Sequence, residues 1–165
     1  MRTDAEPRAI APEADLAPIL ASDPLDLRIS LASIVHWADS HEVRVQLMRD
    51  VAFPVEDLPM FLVVNQLAHR GAMRPTDIAL VLGTGKANLS KIAHRLSAAG
   101  LVSRVRSAED ERSVLLVLTP SGRQIGVRIM TQLRQNLDAV LASWSPADVA
   151  DLQRLLARLA LGAIS

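Results

Sequence analysis

The chain has 165 residues, half of them apolar and 22% charged, with aromatic side chains at only 2% and no cysteine. Such a composition suits a soluble globular protein whose core is built from Leu, Val, Ile, Ala and Met, and it favours helices; disulfides, thiol redox sensing and cysteine-ligated zinc are excluded. The formal net charge is zero, no apolar run reaches the ~18 residues of a membrane span, and no apolar signal core follows Arg2 and Arg8, so the chain reads as cytoplasmic.

Residues 1–26 hold Pro7, Pro12, Pro18 and Pro24 among alanines and acids, and read as a flexible arm with a short helix near residues 14–20. Order begins at Asp26, a candidate cap for one helix predicted over residues 27–48. Its apolar positions Leu27, Leu31, Ile34, Val35 and Ala38 recur at helical spacing, and Val43, Leu47 and Val51 continue the stripe. Pro54 ends this segment or lies in the loop beyond it. A strongly apolar helix is expected over residues 56–70, with Pro59 tolerated in its first turn and Gly71 as its stop. A short third helix places Pro75 in its first turn and stops at Gly83. The fourth covers residues 86–99, with Leu89, Ile92, Ala93 and Leu96 facing inward. Gly100 follows it, where a left-handed backbone suits glycine.

The period then changes. Residues 101–106 and 113–118 are β-prone and flank a polar tip, the pattern of a hairpin. Thr119-Pro120 opens a long helix with Ile125, Ile129, Leu133, Leu137, Val140, Leu141 and Trp144 in one stripe. Ser145-Pro146 repeats the start signal for a last helix carrying Val149, Leu152, Leu156 and Leu159. The fold class is therefore mainly α with a small β-hairpin wing: a winged helix-turn-helix with N- and C-terminal dimerisation helices. The domain reading is an arm at 1–26, an N-terminal dimerisation or core helix at 27–55, the winged helix-turn-helix at 56–119, and dimerisation helices at 120–165. Two amphipathic helices at the end of so small a domain exceed what one core needs, so their leucine stripe is assigned to a seam between two copies.

A short bracing helix, a tight turn and a second helix followed by a hairpin form a device for reading duplex DNA. The turn Gly83-Thr84-Gly85 lets the next helix enter a major groove, which is wide enough to admit one. Lys86, Ala87, Asn88, Ser90 and Lys91 then face base edges and phosphates. Lys and Asn supply donors and acceptors, and Ala87 is small enough to meet a thymine methyl. One turn on, His94 and Arg95 are candidates for phosphate contact, as are Arg74 and Thr76 on the bracing helix and Arg104 and Arg106 on the first strand. Each of these is a solvated surface residue on the plainer reading. The position of the charge favours the sharper one. Residues 70–112 carry eight basic against four acidic residues, whereas residues 1–27 carry two against six, so a neutral chain has a basic middle.

Met73-Arg74-Pro75-Thr76-Asp77-Ile78-Ala79, Leu82-Gly83, Ser90, Leu96, Ala99-Gly100-Leu101-Val102, Asp110-Glu111-Arg112 and Leu118-Thr119-Pro120-Ser121-Gly122, in this order and spacing, resemble the MarR family of bacterial transcriptional regulators. The resemblance is close over residues 58–130 and extends to the flanking helices by pattern only. It implies a triangular homodimer, with the first and the last two helices at the interface. It implies a wing whose Asp110 helps hold the arginines and whose Arg112 approaches the minor groove or its phosphates. It also implies repression of nearby genes, relieved when a small, often aromatic, ligand enters a cleft between the lobes. His36 and Trp37 are candidate effector contacts, although a packed core or dimer contact is the commoner use of such residues. One departure is Gly85, where the family usually places a Ser or Thr cap. Glycine costs a helix start only a few tenths of a kcal/mol against better caps, but the hydroxyl that would meet a phosphate is absent.

The four histidines (His36, His41, His69, His94) are dispersed without carboxylates at ligand spacing, so neither a metal nor another cofactor is expected. No Gly-x-Ser-x-Gly elbow, His-Glu-x-x-His helix or phosphate loop occurs, and an enzyme has no supporting residues. The competing reading is a winged-helix interaction module that does not read DNA. The expected partners are double-stranded DNA, a second copy of the chain and a small-molecule effector, with no membrane.

Overall fold

The computed structural model describes residues 26–106 and 113–164. The chain divides into two compact units, Met1–Asp39 and Ser40–Ser165. In the first, the described residues form α1 (Leu27–Asp39), none of whose side chains is buried. The Asp26 carboxylate accepts the Arg28 guanidinium at 2.6 Å and the Arg28 amide at 2.8 Å. These bonds open the helix and hold the Asp26 carboxyl below the usual carboxylate range. The helix proposed near residues 14–20 lies outside the described residues.

The single helix expected over residues 27–48 is in fact two. At Ser40 the backbone turns extended (φ −64°, ψ 143°), and the hydroxyl accepts the Val43 amide at 3.3 Å, capping α2 (His41–Asp50). A serine hydroxyl offers nearby amides a partner that competes with helix continuation. The apolar spacing that runs past Ser40 gives no sign of this break.

The second unit continues with α3 (Leu58–Arg70), α4 (Pro75–Val81), α5 (Lys86–Ala98), β1 (Val102–Arg106), β2 (Val114–Leu118), α6 (Pro120–Val140) and α7 (Pro146–Ile164). Helix α3 starts two residues later than expected, because Asp57 is extended and accepts the Met60 amide at 2.9 Å as its cap. Its Met60, Phe61, Val63 and Val64 are almost fully buried, and Ile78, Leu89, Leu96, Leu116 and Ile129 close around them from α4, α5, β2 and α6. Each such side chain contributes about 1.5–3 kcal/mol by leaving water. Phe53 meets Phe61 edge-on, with ring centroids 5.5 Å apart.

The hairpin is antiparallel, in register from Val102↔Leu118 to Arg106↔Val114. Met73 adds a one-residue bridge to Leu116 through backbone bonds of 3.2 and 2.8 Å. That bridge ties the segment entering α4 to the wing. Both helices of the helix-turn-helix end in a Schellman pair of bonds. After α4 these are Thr84 N–H to Ala79 at 2.9 Å and Gly83 N–H to Leu80 at 3.1 Å; after α5, Leu101 N–H to Leu96 and Gly100 N–H to Ser97, both at 3.0 Å. Gly100 has φ 70°, a conformation that strains any residue with a Cβ. The proline-led start of α6 is as expected: Thr119 accepts the Gly122 amide at 3.1 Å and donates its hydroxyl proton to the Gly100 carbonyl at 2.6 Å.

Candidate nucleic-acid interface

Helix α5 turns Leu89, Ile92, Ala93 and Leu96 into the core. The same periodicity leaves Lys86, Ala87, Asn88, Ser90, Lys91, His94 and Arg95 exposed. Ala87, Ser90, Lys91, His94 and Arg95 line a shallow open depression on this face. Seven of the predicted site residues thus share one solvent-facing side of one helix, as a groove-reading helix requires.

The start of α5 has no side-chain cap. Gly85 is its cap, extended at φ −75° and ψ 150°, with no side-chain bond to the free amides. A Cβ on Gly85 would meet nothing within 4 Å, so the absent hydroxyl reflects the residue chosen and not a lack of space. The Asn88 amide nitrogen donates to the Thr84 hydroxyl oxygen at 2.9 Å. That bond orients the carboxamide and leaves its oxygen and second hydrogen free to meet an adenine edge. Thr84 was not among the sequence-predicted residues; its signal is the four-residue spacing to Asn88.

The flanking candidates differ in what they can offer. Arg74 precedes α4 as its cap residue and makes no side-chain cap bond. The Thr76 hydroxyl donates to Asp77 at 3.3 Å, so a phosphate would compete with a carboxylate for that proton. Arg104 and Arg106 are exposed on β1, two residues apart and hence on one face of the strand. Arg95 differs from the other cations in the set, since its guanidinium lies 2.6 Å from Asp57. Among the described residues, no carboxylate lies within salt-bridge distance of Arg74, Lys86, Lys91, Arg104 or Arg106. Asp110 and Arg112 fall outside the described residues. His36 and Trp37 are both exposed on α1.

Comparison with known proteins matches this geometry. The family model described as MarR family matches residues 58–113, from the start of α3 to the threshold of β2. The chain is 31% identical over 98 residues to the HTH-type transcriptional regulator FarR of Neisseria gonorrhoeae, covering 59% of this chain and 67% of that one. The chain belongs to the MarR family. It is also 27% identical over 107 residues to the HTH-type transcriptional regulator YfiV of Bacillus subtilis, a match spanning 65% of this chain and 64% of that protein's length. A MarR family protein from Bacillus stearothermophilus has the same fold, with a TM-score of 0.66 at 18% identity over 84% of this chain and 96% of that one. MarR-family proteins are transcriptional regulators and not enzymes. Among the described residues no helix is long and apolar enough to cross a membrane.

Proposed function

We propose that the chain is a homodimeric, DNA-binding transcriptional repressor that sets α5 of each copy into a major groove of a pseudo-palindromic site. The wing of each copy then reaches the flanking minor groove, the contact that the family resemblance implies for Asp110 and Arg112. The observation that carries this reading is the exposed face of α5, where Lys86 and Lys91 have no salt-bridge partner among the described residues and stand beside an Asn88 held by Thr84. Two copies are supported by exposed apolar side chains, at Leu27, Ile34, Val35 and Trp37 on α1 and at Leu155, Leu156 and Leu159 on α7, all 46–75% exposed. Exposed apolar side chains of this kind, on each helix taken by itself, are what an interaction site offers.

Selection of bound duplexes from a random pool tests the proposal. The expected result is enrichment of an inverted repeat with half-sites about one helical turn apart. Enrichment of a single half-site would remove the dimer, and no enrichment would leave a winged-helix interaction module that does not read DNA. Relief by a small ligand belongs to the same proposal, with His36 and Trp37 as candidate contacts. A ligand that frees the DNA should alter Trp37 fluorescence in a Trp144→Phe background, and an unaltered signal removes that assignment.

A further inference from the structure

Asp57 divides its two carboxylate oxygens between two helices. Oδ1 accepts the Met60 amide and starts α3. Oδ2 meets the Arg95 guanidinium at 2.6 Å, and the Asp57 side chain is only 14% exposed. One carboxylate therefore joins the first turn of α3, the helix at the centre of the core, to the last turn of α5. Both helix dipoles favour the arrangement, with an anion at an N-terminus and a cation at a C-terminus. Exposed ion pairs add little, because both side chains must be ordered to form them. Here Asp57 is already fixed by its cap bond and shielded, so only Arg95 has to be ordered.

We infer that Asp57 is a positioning residue for DNA reading, and that Arg95 serves it as a strut instead of contacting phosphate. The bridge fixes the far end of α5, while backbone bonds of the Gly83-Thr84-Gly85 turn and the Asn88–Thr84 side-chain bond fix the near end. With both ends held, Lys86, Asn88 and Lys91 keep one presentation to the groove. This inference rests on the DNA-binding reading above.

The test uses the full chain, the duplex selected from the random pool, and the variants Asp57→Asn, Arg95→Gln and the pair together. Asparagine keeps an acceptor oxygen and caps a helix as well as aspartate does, so Asp57→Asn removes the strut and leaves the start of α3 intact. Arg95→Gln does not touch the cap at all, which guards against a folding defect in the first variant. Each single variant is expected to weaken binding to the selected duplex by about tenfold. The pair should be no worse than either single change, and unselected duplex should lose less. Thermal unfolding without DNA should stay close to that of the unaltered chain.

Opposite signs would overturn the inference. If Asp57→Asn tightens binding and steepens its salt dependence while Arg95→Gln weakens it, Arg95 is a phosphate contact that Asp57 restrains. Unchanged affinity in both single variants overturns it equally. An unaltered chain that binds no duplex defeats the functional reading, and this role for Asp57 with it, whereas strong binding that is indifferent to Asp57 defeats the strut alone.

Discussion

Thr84 stands one residue before the cap of α5 and does its work through Asn88. On the proposed reading, the 2.9 Å bond between them sets the carboxamide before DNA arrives, so a base contact would not have to order it. Thr84→Val keeps the shape of the residue and removes the acceptor. Its selected site should lose preference at one base pair in each half-site by about threefold to tenfold, a part of the roughly 1–3 kcal/mol that a bidentate base contact provides. An unchanged selection profile would mean that Asn88 is held by something else or reads nothing. The exposed cations and Asn88 were legible because the buried positions Leu89, Ile92, Ala93 and Leu96 fix which side of α5 faces out. The Asp57–Arg95 strut was not, since it joins residues far apart along the chain and exists only once α3 and α5 are packed. A lone arginine near a helix end looks the same in sequence whether it meets a phosphate or a carboxylate.

At the scale of elements, three separate segments meet where α5 ends, the wing begins and α6 starts. Leu101 accepts the Thr119 amide at 3.1 Å, the Thr119 hydroxyl bonds to Gly100, and Gly122 lies against the Leu101 carbonyl. A Cβ built on Gly122 would sit 2.0 Å from that carbonyl oxygen, and backbone cannot yield as a flexible side chain would. Gly122→Ala should therefore cost about 2–3 kcal/mol of stability, read as a fall in the thermal or denaturant midpoint. Gly162→Ala, in α7 with nothing within 4 Å of a Cβ, should instead be neutral or stabilising by up to about 1 kcal/mol. Equal midpoints for the two variants would contradict the close approach. The start and stop signals of α4, α5 and α6 were readable because proline, glycine and threonine each impose a local geometry. Two features escaped for the opposite reason. The Ser40 break hides under an apolar stripe that keeps its period, and the Met73 bridge to Leu116 is a single residue with no pattern to announce it.

For the whole molecule, zero net charge conceals a division of labour. Lys86 and Lys91 share the exposed face of α5, while the unburied leucines of α7 offer apolar surface of the kind a second copy covers. On the proposed reading, one surface answers to polyphosphate and the other to a copy of itself. The two are separable by salt, because phosphate contacts release counterions and apolar burial does not. The most direct measurement is the affinity of the chain for its selected duplex as a function of salt concentration, repeated for the Lys86→Ala/Lys91→Ala variant. A dimer should show a steep linear fall of log affinity with log salt, and loss of two phosphate contacts per copy should reduce the slope by roughly 3 to 4, at about 0.9 per contact. A shallow dependence, or a slope that the double substitution leaves unchanged, would contradict the assignment of α5 as the DNA-reading helix.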